Sequence, residues 1–218
     1  MRLLHYNSEG NLVLTDDLVD EGSLPAYAIL SHTWVEEEEV TFQELKADAG
    51  LAKPGYQKIE YCGQQARRDG LQYWWVDTCC IDKTNTAEYR HAVKSMYRWY
   101  QSATICYVYL ADVSTERCEA EKRSWKLAFA ESRWFTRGWT LQELLAPSNL
   151  RFYSMEWTKL GDKSSLQLEI HRITAVPLAV VNGALLSDYS IEERLQWGSA
   201  RQTKLEEDRV YSMEGFFG

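Results

Sequence analysis

The chain has 218 residues, of which 45% are hydrophobic and 26% are charged, a composition typical of a globular protein. Its 24 basic and 32 acidic residues give a net charge of −8, which disfavours general affinity for nucleic acids or anionic membranes. Aromatic residues reach 13%. Because aromatic rings bring large buried areas and polar tips that need partners, we expect most of them in a core and a few around a ligand site.

Neither a membrane span nor an export signal is indicated. The longest uncharged stretch, which includes residues 173–186, contains Pro177 and Gly183 and is shorter than the ~20 apolar residues that a spanning helix requires. The N-terminus turns polar too soon for a signal peptide. Five cysteines without a C-x-x-C spacing indicate neither a disulfide framework nor a zinc site. We therefore expect a cytoplasmic protein with reduced, mostly buried cysteines and no metal.

Strand and helix patterns alternate along most of the chain. Apolar runs predict strands at residues 26–32, 71–77, 104–110 and 150–154. Helical spacing predicts helices that begin near Thr41, Pro54 and Asn85, and two more over residues 119–131 and 140–145. Residues 163–218 read as helices, with a capped start at Ser190. This alternation is typical of an α/β fold with a mainly parallel sheet flanked by helices.

Polar clusters follow three of the predicted strands. Residues 31–34 come after the first strand, residues 77–83 after the second, and Asp112 after the third. Ligands of such sheets bind at the carboxyl ends of the strands, so we expect the functional site there.

Several common catalytic motifs are absent. The sequence has no G-x-G-x-x-G, P-loop, H-E-x-x-H or G-x-S-x-G, which disfavours a Rossmann dehydrogenase, a P-loop NTPase, a metalloprotease and an α/β-hydrolase. Cys79 and Cys80 follow a strand, but no histidine that could activate a thiol lies nearby in the sequence. We expect them to be buried hydrophobic residues.

The densest cluster of chemically distinctive side chains is the segment Ser132–Leu144, which combines two tryptophans, two arginines, a glycine and a glutamate. Two readings of Glu143 are open. Thr140 and Glu143 have the spacing of a capping box, in which Glu143 would only cap its own helix. Alternatively, Glu143 is a functional carboxylate.

Five segments resemble the fungal heterokaryon-incompatibility (HET) domain, in the order of that family: Tyr27–Trp34, Glu39–Glu44, Trp75–Lys83, Ser132–Pro147, and Glu207–Asp208 with Tyr211–Ser212. Val35, the Lys204–Leu205 pair and Glu214 depart from the family pattern. The resemblance implies a single domain over residues 1–218, with a core over 24–158 and a helical part over 163–218. It also implies that this domain is the N-terminal part of a longer protein with nucleotide-binding and repeat modules.

HET domains are in turn remotely similar to Toll/interleukin-1-receptor (TIR) domains, which have a flavodoxin-like sheet. Ser31–His32 resembles the Ser-His that ends the first TIR strand, and the stretch from Ser132 to Leu144 resembles the TIR segment that contains the catalytic glutamate of NAD-cleaving members. This likeness implies a TIR-like NAD hydrolase with Glu143 as its catalytic carboxylate. Residues expected around the substrate are Ser31, His32, Trp34, Asp77, Asp82, Arg133 and Trp139.

The implied role is a cell-death effector in fungal allorecognition or innate immunity that acts on self-association. NAD would be its substrate, and no cofactor would be needed. The alternative is a non-enzymatic scaffold that signals by homotypic assembly, with Glu143 capping a helix.

Overall fold

The computed structural model describes residues 1–17, 24–116 and 125–217. Within these ranges the strands are β1 (Leu4–Tyr6), β2 (Leu12–Leu14), β3 (Tyr27–His32), β4 (Tyr73–Trp75), β5 (Ile105–Tyr109), β6 (Leu150–Tyr153) and β7 (Lys159–Asp162). They form one sheet in the order β2-β1-β4-β3-β5-β6-β7. The expected α/β fold with a sheet flanked by helices is confirmed.

The sheet is mixed rather than simply parallel. β3 pairs with β4, and β5 with β6, in parallel. The pairs β1–β2, β1–β4 and β6–β7 are antiparallel, and β1, β2 and β7 were not predicted from the sequence. The four strands β4-β3-β5-β6, numbered along the chain, have the order 2-1-3-4, as in flavodoxin-like sheets. In such sheets the ligand crevice lies at the carboxyl ends of the strands where the order reverses, here β3 and β5.

The described helices are α1 (Phe42–Lys46), α2 (Pro54–Arg68), α3 (Thr86–Ser102), α4 (Trp125–Glu131), α5 (Thr140–Leu145), α6 (Gln167–Thr174), α7 (Leu178–Val181), α8 (Ile191–Ser199) and α9 (Asp208–Glu214). Short 3-10 helices cover Arg133–Thr136 and Leu186–Asp188. Residues 119–124 of one predicted helix lie outside the described residues.

The predicted helix starts have the expected chemistry. Thr41 and Ser190 begin α1 and α8 as the first residues of full capping boxes, in which a hydroxyl and a carboxylate bond free backbone amides. The Asn85 side chain accepts two backbone N–H bonds at the start of α3. Pro54 opens α2, where its missing N–H leaves no helical bond unmade.

The described chain divides into two compact units. The first comprises Met1–Leu30, Trp34–Ser95 and Ala103–Ile105, and the second comprises Ser31–Thr33, Met96–Ser102 and Cys106–Gly218. In the first unit, Trp74 and Trp75 of β4 are fully buried. One face of α2, carrying Ile59 and Cys62, is also buried.

The core of the second unit is a cluster of four aromatic rings. Phe129, Phe135 and Phe152 surround one another, with the centroid of Phe129 5.0 Å from Phe135 and 5.1 Å from Phe152. Trp134 lies edge-on to Phe135 at 5.0 Å and to Phe152 at 5.7 Å. Edge-to-face pairs add about 0.5–1.5 kcal/mol each beyond their buried area. The aromatic excess of the sequence therefore forms, in part, a rigid support for Trp134.

The cysteines are buried, as expected, wherever they are described. Cys62, Cys79, Cys80 and Cys106 are buried and form no disulfide bond with one another, and the fifth cysteine lies outside the described residues. Burial raises the pKa values of the Cys62 and Cys79 thiols well above the usual range for cysteine. Both thiols are therefore poor nucleophiles.

None of the helices among the described residues combines the length and hydropathy needed to cross a bilayer. The His, Cys, Asp and Glu side chains of these residues form no group of three or more that could hold a metal ion.

Gly63 tests the packing of α2 against β4. A Cβ at this position would lie 2.5 Å from Cζ2 of the buried Trp74 indole. Gly63→Ala would gain about 1 kcal/mol of helix propensity, but overpacking a core costs about 1–3 kcal/mol and the indole has no room to yield. We expect a lower free energy of unfolding by urea denaturation. The exposed Gln64→Ala should stay within about 0.5 kcal/mol of the wild type, and a Gly63→Ala variant more stable than the wild type would contradict this packing.

Candidate functional site

The site in the second unit is built around Glu143. This residue lies in α5 and is only 7% exposed. Ser31, near the carboxyl end of β3 and fully buried, donates its hydroxyl proton to Glu143 Oε2. Because a buried carboxylate is costly unless it is hydrogen-bonded, this bond supports the negative charge of Glu143 at a strand end.

Trp134 fixes the direction of the Ser31 hydroxyl. Its indole Nε1 donates to Ser31 Oγ over 2.7 Å. A serine hydroxyl has one proton to give, so with the indole as donor on one side, the proton of Ser31 is directed to Glu143 on the other. The chain of contacts Trp134–Ser31–Glu143 is therefore polarised toward the carboxylate.

The capping-box reading of Thr140 and Glu143 is wrong. α5 begins at Thr140, with Trp139 rather than Thr140 in the N-cap position and no side-chain capping bond there. The single proton of the Thr140 hydroxyl is instead shared between the carbonyl oxygens of Trp134 and Arg137. The threonine that local spacing assigned to the helix end is used by the preceding turn, and Glu143 contacts Ser31.

Asp112 positions the segment that carries Trp134. Its two carboxylate oxygens accept hydrogen bonds of 2.7 Å from Ser132 Oγ and from the backbone N–H of Arg133. Ser132 Oγ in turn accepts from the backbone N–H of Trp134 over 3.3 Å. The strand-end aspartate thus orders the 3-10 helix from which the indole of Trp134 projects.

The C-terminal part of the chain also binds the turn at residues 136–140, which connects the 3-10 helix to α5. The backbone N–H of Gly138 donates to Gln202 O over 2.8 Å, and that of Gln202 donates to Thr136 O over 2.7 Å. Beside this bridge, Arg201 Nη1 donates to Arg137 O over 2.9 Å and to Thr140 Oγ1 over 2.8 Å. Sequence reasoning missed Arg201, because it lies in a polar stretch between helices with no local motif around it.

The remaining predicted residues fall in two places. In the second unit, His32 is buried, Trp139 is half-buried, and Arg133 is exposed with its Nη2 3.4 Å from Thr33 Oγ1.

In the first unit, Trp34 is 48% exposed, and its Nε1 donates to Asp77 Oδ2 over 2.9 Å. The ammonium of Lys83 lies 3.7 Å from the centre of the Trp34 ring. Asp82 serves a turn: Thr84 Oγ1 donates to its Oδ1 over 2.6 Å and Gln43 Nε2 donates over 2.6 Å. The hydrogen bond from Thr84, with that from Gln43, lowers the pKa of Asp82. The substrate roles given to these residues remain predictions.

The fold and this site define an α/β domain of the doubly wound type with a buried carboxylate at its strand ends. Residues 27–126 match the family described as "Heterokaryon incompatibility protein (HET)". The chain is 50% identical over 219 residues to the vegetative incompatibility protein HET-E-1 of Podospora anserina. The resemblance of the sequence to the HET domain is confirmed.

The alignment with HET-E-1 covers 100% of this chain and 16% of that protein. The chain thus spans about a sixth of the length of this relative. No solved structure matches the chain.

Gly138 tests the contact between the turn and the C-terminal segment. A Cβ there would lie 2.4 Å from Thr203 Cγ2, so we expect Gly138→Ala to lower the free energy of unfolding by about 1–3 kcal/mol. Thr203→Ser removes that methyl group. The double variant Gly138→Ala/Thr203→Ser should recover most of the loss in a urea titration. Additive effects of the two substitutions would mean that this contact does not set the requirement for glycine.

Proposed function

We propose that the chain is the effector domain of a fungal heterokaryon-incompatibility protein and triggers cell death by hydrolysing NAD. The observation that carries the enzymatic part is the position of Glu143. Its carboxylate is buried, contacts Ser31 near the carboxyl end of β3, and does not form the capping box that its sequence spacing suggested. The flavodoxin-like order of the four strands agrees with the TIR-like fold implied by the sequence.

The chemistry requires little beyond such a carboxylate. The bond between ribose C1′ and nicotinamide N1 breaks, and its electron pair leaves with nicotinamide, which becomes neutral. Water then adds to C1′ and loses a proton. Because the transition state resembles an oxocarbenium ion, as in glycoside hydrolysis, a negative charge held beside C1′ stabilises it. Ser31 keeps that charge in place.

Binding of the substrate is proposed to use the other strand-end residues. Arg133 is exposed in the second unit and is suited to a phosphate oxygen of NAD. His32 and Trp139 belong to the same unit, and the half-buried Trp139 offers a ring face for stacking. Trp34, Asp77 and Asp82 belong to the first unit, and the substrate roles expected of them stay predictions of the sequence.

We further propose that activity requires self-association in the cytoplasm, driven by modules outside this chain. The length of HET-E-1, of which the chain matches 16%, supports additional modules in the full-length protein. The name of that relative, a vegetative incompatibility protein, supports the biological role.

Substitution of Glu143 tests the enzymatic proposal. The chain, immobilised at high density to force self-association, should release nicotinamide from NAD, measured by chromatography. Glu143→Gln keeps the shape of the side chain but not its charge, so it should reduce the rate by about 100-fold or more. Glu131→Gln makes the same change at an exposed position of the second unit and should behave as the wild type.

Two outcomes would contradict the proposal. If the clustered wild-type chain released no nicotinamide, the protein would act as a non-enzymatic scaffold. If Glu143→Gln retained the wild-type rate with an unchanged melting temperature, the reaction would not depend on this carboxylate.

A further inference from the structure

Arg201 is a buried cation, and only one of the two terminal nitrogens of its guanidinium has hydrogen-bond partners among the described residues. It is 9% exposed and lies between α8 and α9. Its Nη1 makes both hydrogen bonds already described, to Arg137 O and to Thr140 Oγ1. Its Nη2 is equally buried and has no hydrogen-bond partner among the described residues.

An unsatisfied donor on a buried charge is expensive, because Nη2 has lost water without gaining a partner. Arg201 also forms no ion pair with any residue that the structure describes. Burial lowers the pKa of Arg201 to about 10, and the nearby negative charge of Glu143 acts in the opposite direction. The structure thus keeps a buried donor without an acceptor within electrostatic reach of the candidate catalytic carboxylate.

A series of contacts along one face of α5 connects the Arg201 guanidinium with the Glu143 carboxylate. Thr140 and Glu143 are three residues apart on this helix, so their side chains lie on the same face. Arg201 contacts Thr140, the Thr140 hydroxyl contacts the Trp134 carbonyl, and the Trp134 indole leads through Ser31 to Glu143. The guanidinium at one end of this series is held by Arg137 and Thr140, and the carboxylate at the other end is held by Ser31.

The combination of a donor and an acceptor selects the chemistry of the ligand. A phosphate offers only acceptors, so Glu143 would repel it even if Arg201 attracted it. A sugar hydroxyl both gives and accepts a proton, so it can donate to Glu143 while it accepts from Arg201 Nη2. We propose that Arg201 is a ligand-binding residue whose Nη2 donates to a hydroxyl of the ribose next to nicotinamide. This inference rests on the proposed function.

The test compares two ligands that cannot be cleaved. One is a carbocyclic NAD that retains both hydroxyls on the nicotinamide side, and the other is the same molecule without them. Equilibrium binding is measured on the chain immobilised at high density. Arg201→Lys keeps the positive charge but replaces the three guanidinium nitrogens with one ammonium nitrogen, so the hydroxylated ligand should bind about 10- to 100-fold more weakly. The ligand without hydroxyls should bind Arg201→Lys and the wild type equally.

Two further variants separate binding from folding. Arg209→Lys, the same change at an exposed position of α9, should bind both ligands as the wild type does. Thr140→Val removes an acceptor of Nη1 and leaves Nη2 in place, so it should lower the melting temperature yet keep the preference for the hydroxylated ligand.

The inference is overturned by any of three results. These are an equal weakening of both ligands by Arg201→Lys, a loss of the preference in Thr140→Val as complete as in Arg201→Lys, and a wild type that does not prefer the hydroxylated ligand. A different result separates the two proposals: if the wild type prefers the hydroxylated ligand but never releases nicotinamide from NAD, the hydrolase proposal fails and the role of Arg201 stands.

Discussion

The site depends on the two hydrogen bonds made by the hydroxyl of Ser31. It receives the indole N–H of Trp134 and gives its own proton to Glu143, although the latter residue lies 112 positions away in the sequence. Both partners need it: without Ser31, a buried indole N–H and a buried carboxylate would each lose a hydrogen bond, which costs about 1–3 kcal/mol per group. The strand end, the aromatic core and α5 are therefore joined through one oxygen atom.

The other elements of the second unit serve to hold the two neighbours of Ser31. The rings of Phe129, Phe135 and Phe152 fix the plane of the Trp134 indole, and Asp112 orders the backbone from which it projects. The C-terminal segment fixes the start of α5 through Arg201. Since the contacts made by Ser31, Asp112 and Arg201 join residues that are distant in sequence, the geometry of Glu143 exists only in the folded chain. A carboxylate held this way loses little entropy when a cation-like transition state forms beside it.

Much of the fold could be predicted from the sequence, because long apolar runs and helix caps are local signals. The strands β1, β2 and β7 could not, since three- and four-residue strands such as Lys159–Asp162 are too short to show an alternating pattern. At the site, the strand-end position of Ser31 was predictable. The role of Thr140 was not, because a capping box and this turn have the same spacing and only the contacts to Trp134 and Arg137 separate them. Arg201 gave no local signal at all.

The central claim is that Ser31 and Glu143 are energetically coupled, and a double-mutant cycle on the free energy of unfolding measures this directly. Urea titrations of the wild type, Ser31→Ala, Glu143→Ala and the double variant supply the four values. We expect a coupling energy of about 1–3 kcal/mol, because each single substitution leaves the other group with an unmade bond. Effects that add to within about 0.5 kcal/mol would contradict the account, since Glu143 would then be held by something other than Ser31.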